Sequence, residues 1–389
     1  MNLKELDKKY IANTYSRFPV EAAHGKGAIL YGKDGKEYID LGSGIGVNAF
    51  GYSDDEWQEA AALQLSKLSH TSNLYYTEPS VKLAKMLCER TGMKKVFFSN
   101  SGAEANECAI KAARKYAQEK NGKDYYTIIS LKNSFHGRTL TTLAATGQDK
   151  FHELYTPLTE GFVSVSAEDI AALENAVKSH KTAAVMLECI QGEGGVIPLS
   201  AEYLQAVRKI TEENDILLII DEVQTGNGRT GKLYAYMNYG IMPDIVSTAK
   251  GLGGGLPIGA TLLGEKVEDI FCFGDHGSTF GANPVCCAAA YSVLERLTDK
   301  FLLEVQKKGE FLKDYFSKCK GVRTVSGMGL MIGLETAFAA KEVAQKALEN
   351  GVLVLTAKDK VRLLPPLNID FELLKKAAEI IAEICEKEN

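Results

Sequence analysis

The 389-residue sequence lacks several patterns that would assign it to common classes of protein. None of its eight cysteines forms a Cys-x-x-Cys pair, and no histidine stands near them at zinc-ligand spacing. Cysteines without such spacing are typical of reduced thiols, so we expect a cytoplasmic protein without a bound metal. No stretch approaches the roughly 18 apolar residues that a membrane-spanning helix needs.

The charge and the length of the chain narrow its class further. Its net charge of −5 is small and dispersed, which argues against nucleic acid or an anionic membrane as the main partner. The opening stretch MNLKELDKKYIANTYSRFP has no apolar core and carries acidic residues, so we expect neither a secretory signal nor a transit peptide. A chain of this length is long enough for two domains.

Short apolar runs alternate with helical patterns between about residues 95 and 265. Runs that are apolar on both faces predict buried strands of a mostly parallel sheet, and their alternation with helices predicts an α/β fold. The runs lie at residues 96–98, 126–129, 183–187, 216–220 and 244–246, and the clearest helical patterns at 103–118 and 201–214.

The two ends of the chain have a different pattern. Near the N-terminus, two apolar runs flank the turn sequence GKDGK, which predicts a strand–turn–strand unit. From about residue 305, two long helical patterns surround a short strand region. We predict that residues 1–50 and 301–389 together form a smaller domain beside a large domain of residues 51–300.

Polar and glycine-rich segments follow several predicted strands, at the edge where ligands bind in open α/β sheets. Asp221 ends an apolar run, where a carboxylate is costly to bury without a cation such as a protonated pyridine nitrogen. The ordinary alternative is a helix cap or a loop acid. Lys250 stands among small and apolar residues before a glycine-rich loop. Desolvation there would free its amine to attack an aldehyde, although most lysines are solvated surface residues.

Three further segments have residues suited to binding a ligand. NSGAEAN follows a predicted strand and opens a helix, which predicts a phosphate site, an ordinary capping box, or both. In SFHGR, Phe135 could stack on a heteroaromatic ring and Arg138 could bind a carboxylate, while His136 could be a packed loop residue. Glu193 lies in a glycine-rich loop, and Arg362, in an apolar setting, requires a carboxylate partner.

The segment GNGRTGK matches most of a nucleotide-binding P-loop. Leu233 stands where the P-loop has the Ser or Thr that binds Mg²⁺, and the segment does not directly follow a predicted strand. A non-enzymatic nucleotide-binding protein is therefore a disfavoured alternative.

Taken together, the motifs resemble those of the class III aminotransferases, which depend on pyridoxal 5'-phosphate and have the type I fold. The resemblance covers almost the whole chain and implies a large domain with a mostly parallel mixed sheet flanked by helices, plus a smaller α+β domain. The matching stretches are NTYSRFP, SNLYYTEPS, VFFSNSGAEANE, SFHGRTL, ATGQDKF, IQGEGGV, DEVQTGNGRTG, AKGLGGGLPIGA, GDHGSTFGANP and VRLLPP.

The resemblance also implies a role for individual residues. Lys250 would hold the cofactor as a Schiff base, and Asp221 would pair with its pyridinium nitrogen. The other implied cofactor contacts are Phe135, His136 and Val223 around the ring, Gln224 at its hydroxyl, Ser101, Gly102 and Ala103 at the phosphate, and Thr279, which would reach the phosphate held by a second subunit of a homodimer. The implied substrate contacts are Arg138 and Arg362 at carboxylates, Glu193 as the acid that covers Arg362, and Tyr15 and Ser278 along the pocket.

The resemblance further implies transfer of the δ-amino group of N2-acetyl-L-ornithine to 2-oxoglutarate, a step of arginine biosynthesis. Succinylornithine, ornithine, 4-aminobutyrate and acetyl-diaminopimelate precursors stay open as donors, as does a mutase or racemase on the same fold. Two departures from the family pattern concern loop geometry: Cys189 replaces a usual Pro, and Ala282 a common Gly.

Overall fold

The central element of the fold is a seven-stranded sheet. The structure is a computed structural model and describes residues 2–386. From one edge of the seven-stranded sheet to the other, the strands are Lys95–Ser99, Gly259–Leu263, Ile245–Thr248, Leu217–Asp221, Thr182–Leu187, Thr127–Leu131 and Phe162–Val165. Neighbours pair in parallel except along Gly259–Leu263, which is antiparallel to both strands beside it. The predicted α/β fold with a mostly parallel sheet is confirmed.

The middle strands are buried along their whole length, as their continuous apolar runs require. Each predicted run overlaps one strand, and the strand ends differ from the prediction by at most two residues. The two strands that the sequence did not indicate are Phe162–Val165, at the sheet edge, and Gly259–Leu263. The latter begins with Gly, Ala and Thr, which make no apolar run although the whole strand is buried.

Helices cover the sheet, and one of them carries part of the site. Gly102–Asn121 starts directly after the strand Lys95–Ser99, with Ser101 as its N-cap. Its buried face is rich in alanine, and such small side chains allow the helix to lie close against the sheet. The other helices are Leu3–Tyr10, Asp55–Lys67, Glu78–Thr91, Leu140–Ala145, Ile170–Ser179, Ala201–Glu213, Pro284–Arg296, Asp299–Ser317, Ala340–Glu349 and Phe371–Glu386, with a short turn at Ser43–Gly46.

Smaller sheets are built from both ends of the chain. One contains Ala22–Lys26, Ile29–Gly32, Glu37–Asp40 and Val352–Leu353, and another Val322–Met328, Met331–Thr336, Lys360–Leu363 and Leu355–Ala357. A two-stranded sheet pairs Ile190–Gln191 with Ile197–Pro198.

The prediction for the C-terminal part was too simple. Instead of two helices around one short strand region, the described residues after 298 have three helices and five strands. Strands of two to four residues, such as Val352–Leu353, are too short to show a periodicity in the sequence. The parallel pairing of Val352–Leu353 with Glu37–Asp40 brings the two ends of the chain together.

The sheet register places the chemical candidates at one edge. Asp221 is paired with Ser247 on the adjacent parallel strand, and Lys250 follows that strand by two residues after Thr248. Both side chains therefore lie at the carboxyl end of the sheet, where ligands bind in such folds. Within residues 2–386, no helix is long and apolar enough to cross a membrane.

Candidate active site

A cavity of about 440 Å³ lies at this edge of the sheet. Predicted residues from four separate segments of the chain line it: Ser101, Gly102, Ala103, Phe135, His136, Arg138, Asp221, Val223, Gln224 and Lys250. The fold thus brings together residues that are up to about 150 positions apart in the sequence.

The Asp221 carboxylate is buried, lines the cavity and accepts hydrogen bonds at both of its oxygens. Its Oδ2 accepts hydrogen bonds from Asn106 Nδ2 and His136 Nδ1, both at 2.8 Å, and its Oδ1 accepts one from the backbone N–H of Val223 at 3.0 Å. Burial alone would lower the pKa of His136, but the hydrogen bond and the charge of Asp221 outweigh burial and raise it. Three donors therefore fix the carboxylate toward the cavity.

Lys250 is the amine of the cavity and is held in an unusual backbone conformation. Its φ of 47° lies in the left-handed region, which costs a non-glycine residue of order 1–3 kcal/mol and occurs mostly at functional sites. Burial lowers the pKa of Lys250, and the nearby charge of Glu193 only partly opposes that shift. A lysine with a lowered pKa has a larger neutral fraction, which is the form that attacks carbonyl carbons.

The start of the helix Gly102–Asn121 forms one wall. Ser101 Oγ accepts a hydrogen bond from the Glu104 N–H at 3.2 Å, so the capping interaction is present. The first N–H groups of a helix have no acceptor within the helix and can bind an anion such as phosphate. A Cβ atom on Gly102 would lie 2.5 Å from Val223 Cγ1, so only glycine allows Val223 to pack against this helix end.

Arg138 and Arg362 differ sharply in their surroundings. Arg138 is exposed at the cavity and makes no ion pair within the described part of the chain. Arg362 is buried, donates from Nη1 to Glu193 Oε1 in a very short contact, and donates to Gln224 Oε1 at 3.0 Å. Burial would raise the pKa of Glu193, but the charge and hydrogen bond of Arg362, together with the charge of Lys250 and the hydrogen bond of Gln224, outweigh burial and lower the pKa. One arginine is open, and the other is covered by an acid.

Five predicted residues do not line the cavity. Two of them, Glu193 and Arg362, hydrogen-bond to Gln224, which does line it. Ser278 and Thr279 line a separate cleft, although Asn100 Nδ2, at the cavity, hydrogen-bonds to Ser278 Oγ at 3.2 Å. Tyr15 is 71% exposed, and the Arg17 Cζ lies 5.5 Å from its ring centre. The expectation for Thr279 concerned the site of a second subunit, so its position within its own chain leaves that expectation a prediction.

The structure adds two residues whose roles the sequence did not indicate. Asn106 holds Asp221, and it lies one turn after Gly102 on the inner face of the same helix. Glu188 accepts hydrogen bonds from the backbone N–H groups of Phe135 and Gly192, at 3.0 and 3.2 Å. Burial raises the pKa of Glu188 to about 7. Helical spacing from Gly102 could have indicated Asn106, whereas the contacts of Glu188 are to backbone and leave no sequence signal.

The segment that resembles a P-loop is part of the core. The residues from Gly226 to Gly231 are buried, and the Arg229 guanidinium donates to the backbone oxygens of Leu330 and Pro365, at 3.0 and 2.5 Å. A buried loop with its cation bound to backbone carbonyls has no surface to offer a nucleotide.

Comparison with known proteins agrees with this geometry. A family described as "Aminotransferase class-III" matches residues 10–385. An acetylornithine aminotransferase of Haemophilus ducreyi is 53% identical, with 98% of each chain covered. The solved N-acetylornithine aminotransferase of Stenotrophomonas maltophilia is 35% identical with a TM-score of 0.85, and 98% of each chain is covered.

A solved ornithine aminotransferase of Toxoplasma gondii, with partial occupancy of PLP at its active site, is 32% identical with a TM-score of 0.93. The match covers 98% of this chain and 93% of that one. The cavity suits the same group, because it combines a buried acid, a desolvated amine and a helix N-terminus. The chain therefore belongs to the class-III aminotransferases and is a pyridoxal-phosphate-dependent transaminase.

Proposed function

We propose that the enzyme transfers the δ-amino group of N2-acetyl-L-ornithine to 2-oxoglutarate, yielding N-acetyl-L-glutamate 5-semialdehyde and L-glutamate. The names of relatives that are 45–53% identical over nearly the whole chain support this donor. The structural observation that carries the proposal is the pairing of Arg362 with Glu193 at Gln224, which lines the same cavity as the open Arg138. The donor has no carboxylate at its reacting end, whereas 2-oxoglutarate has one there. A pocket that binds both substrates therefore requires one carboxylate site that is always open and a second that can be covered.

Different residues of the cavity would bind different parts of the cofactor. Lys250 would bind the aldehyde carbon of the cofactor, and Asp221 would hold the proton on the ring nitrogen of the cofactor. His136 and Asn106 support Asp221 by donating hydrogen bonds to its carboxylate. Val223 and Phe135 would contact the two ring faces. The remaining contacts would be Gln224 at the ring hydroxyl and Ser101, Gly102 and Ala103 at the phosphate. When bound, the cofactor supplies an electron sink for the carbon that carries the amine.

Lys250 also moves the proton that the reaction requires. With the cofactor and the donor bound, the neutral amine of Lys250 would remove the proton from the amine-bearing carbon of the donor. Burial serves this step, because it lowers the pKa of the Lys250 amine and so increases the neutral fraction that can accept a proton.

The arginines bind the carboxylates of the two substrates. Arg138 would hold the α-carboxylate of acetylornithine in one half-reaction and the distal carboxylate of 2-oxoglutarate in the other, as a planar guanidinium can through two parallel hydrogen bonds. Arg362 would bind the α-carboxylate of 2-oxoglutarate after Glu193 moves away. In the donor half-reaction no carboxylate is present at that end, and Glu193 neutralises Arg362. Tyr15 and Ser278 would complete the pocket wall.

The proposal includes a homodimer with shared sites in the cytoplasm. Large apolar side chains are strongly exposed on one chain, including Leu74, Tyr76, Phe273 and Phe280. Exposed apolar surface of this kind is typical of an interface, and Thr279 neighbours Phe280. The eight cysteines are free thiols, as a reducing compartment favours.

The division into a large domain of residues 51–300 and a small domain of residues 1–50 and 301–389 belongs to the same proposal, and the strand pairing of Glu37–Asp40 with Val352–Leu353 supports it.

The proposal is tested by mixing the cofactor-loaded protein with single donors in the absence of any keto acid. The visible absorbance of the cofactor should be lost fast with N-acetylornithine and slowly with ornithine or 4-aminobutyrate. Faster loss with one of the other donors would retain the transaminase and refute the proposed substrate.

A further inference from the structure

The guanidinium of Arg138 lies over two aromatic rings and has no polar partner among the described residues. It makes no ion pair or hydrogen bond with residues 2–386, although it is exposed at the cavity. Its Cζ lies 4.5 Å from the ring centre of Phe151 and 5.6 Å from that of Phe135. Its N–H donors are therefore all available to a ligand, while its Cζ lies over both rings.

Phe151 is itself held in place from two sides. Phe151 is the last residue of the turn Asp149–Phe151, and its backbone N–H donates to the Gln148 carbonyl at 3.0 Å. The Gln148 side chain in turn donates from Nε2 to the carbonyl of Ser134 at 3.0 Å. The Phe151 ring is half-buried and meets the Phe135 ring edge to face, with centres 5.9 Å apart. The ring is thus fixed relative to the segment that carries Phe135 and Arg138.

We infer that Phe151 is a positioning residue for carboxylate binding by Arg138, an inference that rests on the proposed function of Arg138. An acidic partner would orient a guanidinium equally well, but it would occupy the donors that a substrate carboxylate needs. A ring face orients the plane and leaves the edge of the fork free. Arg362, by contrast, has the acid Glu193, because it binds a carboxylate in only one half-reaction. Arg138 serves both half-reactions and has no such cover.

The effect of losing the ring follows from the strength of a guanidinium–ring contact. Such contacts are worth about 0.5–2 kcal/mol, which corresponds to about 2- to 30-fold in a dissociation constant. Phe151→Leu removes the ring with little change in apolar volume, and Phe151→Tyr keeps it. Tyr155→Leu is the matched control, since it deletes an exposed ring four residues away that contacts no cation in the described chain.

The test measures binding of unreactive ligands to the cofactor-loaded enzyme by calorimetry. N-acetyl-L-norvaline has the acyl group and carboxylate of the proposed donor without its amine, N-butylacetamide lacks the carboxylate as well, and glutarate mimics the acceptor. Phe151→Leu should weaken both carboxylate ligands about 2- to 30-fold and leave N-butylacetamide unchanged, while Phe151→Tyr and Tyr155→Leu bind as wild type. Glutarate keeps the test valid if the donor proves to be a different amine.

Three outcomes would overturn the inference. Unchanged carboxylate binding in Phe151→Leu would show that the ring does not position Arg138. Equal losses in Phe151→Leu and Tyr155→Leu, or for N-butylacetamide, would show a general loop defect. Lys150 Nζ lies 4.8 Å from the same ring centre, so Lys150→Gln must also be measured. A loss in Lys150→Gln equal to that in Phe151→Leu would assign the effect to the lysine instead.

Discussion

Replacing Glu193 by Gln should convert the covered arginine into an open one. In the structure Glu193 accepts hydrogen bonds from both Arg362 and Gln224, and the Arg362 side chain is only 4% exposed. Before 2-oxoglutarate can bind Arg362, this ion pair must break. A hydrogen bond between charged groups contributes about 1.5–3 kcal/mol, so removing the charge of the acid should tighten binding of 2-oxoglutarate by about 10- to 150-fold.

The same substitution should slow the donor half-reaction. Without the negative charge, Arg362 stays uncompensated in a buried site when acetylornithine is bound, and a buried unpaired charge is costly. Stopped-flow measurement of each half-reaction separates the two effects, since one variant should improve the acceptor step and impair the donor step. Glu335→Gln is the matched control, because Glu335 is an acid on the neighbouring strand that bonds Thr324 and not Arg362. Weaker 2-oxoglutarate binding, or equal changes in both half-reactions, would contradict the proposed role of Glu193 as the acid that covers Arg362.

Further predictions concern the amine, the ring-nitrogen acid, the core and pH. Lys250→Ala should reduce kcat by roughly 10³-fold or more, since it removes the proton-transferring amine, while circular dichroism shows an intact fold. Asp221→Asn should lower kcat by roughly 10²-fold and shift the cofactor absorbance, because the three donors around Asp221 then face a neutral amide. Leu218→Ala should lower the free energy of unfolding by about 2–5 kcal/mol in denaturant titration, since Leu218 is fully buried, whereas Leu154→Ala at an 88% exposed site should change it by less than about 0.5 kcal/mol. Burial raises the pKa of Glu222 from 4.5 to about 7, so this group favours the folded state below pH 4.5 and that contribution is lost as the pH rises through about 7. Glu222→Gln should therefore be more favourable relative to wild type at pH 8 than at pH 5, and an equal difference at the two values would contradict the assignment.

The functional residues at the strand ends could be predicted from the sequence because the features that mark them lie within a few neighbouring residues. Asp221 follows an apolar run, and Lys250 precedes a run of glycines, so burial and strand position could both be inferred from neighbours. The helix that starts at Gly102 was predicted for the same reason, since the capping residue and the alanine-rich face lie within one segment. Strand periodicity and capping are short-range signals.

The contacts between distant segments could not be read from the residues alone. Arg362 and Glu193 are 169 positions apart, and their pairing was expected only from resemblance to a family. The acceptor role of Glu188 depends on the backbone of Phe135 and Gly192, whose N–H groups have no residue-specific pattern. The rings around Arg138 come together only because the turn Asp149–Phe151 folds back onto the segment of Phe135. Tertiary packing decides these contacts, and no periodicity encodes them.

A single competition measurement between amine donors tests whether the enzyme is a transaminase specific for N-acetylornithine. The cofactor-loaded enzyme receives 2-oxoglutarate with equal concentrations of N-acetylornithine, ornithine and 4-aminobutyrate, and the aldehyde products are quantified together with glutamate. We expect one glutamate per aldehyde, and N-acetylglutamate semialdehyde in excess over the other aldehydes by roughly 100-fold, which is below the roughly 10⁴-fold that a site with dedicated polar contacts can reach. Glutamate without a matching aldehyde, or a dominant product from ornithine or 4-aminobutyrate, would contradict it.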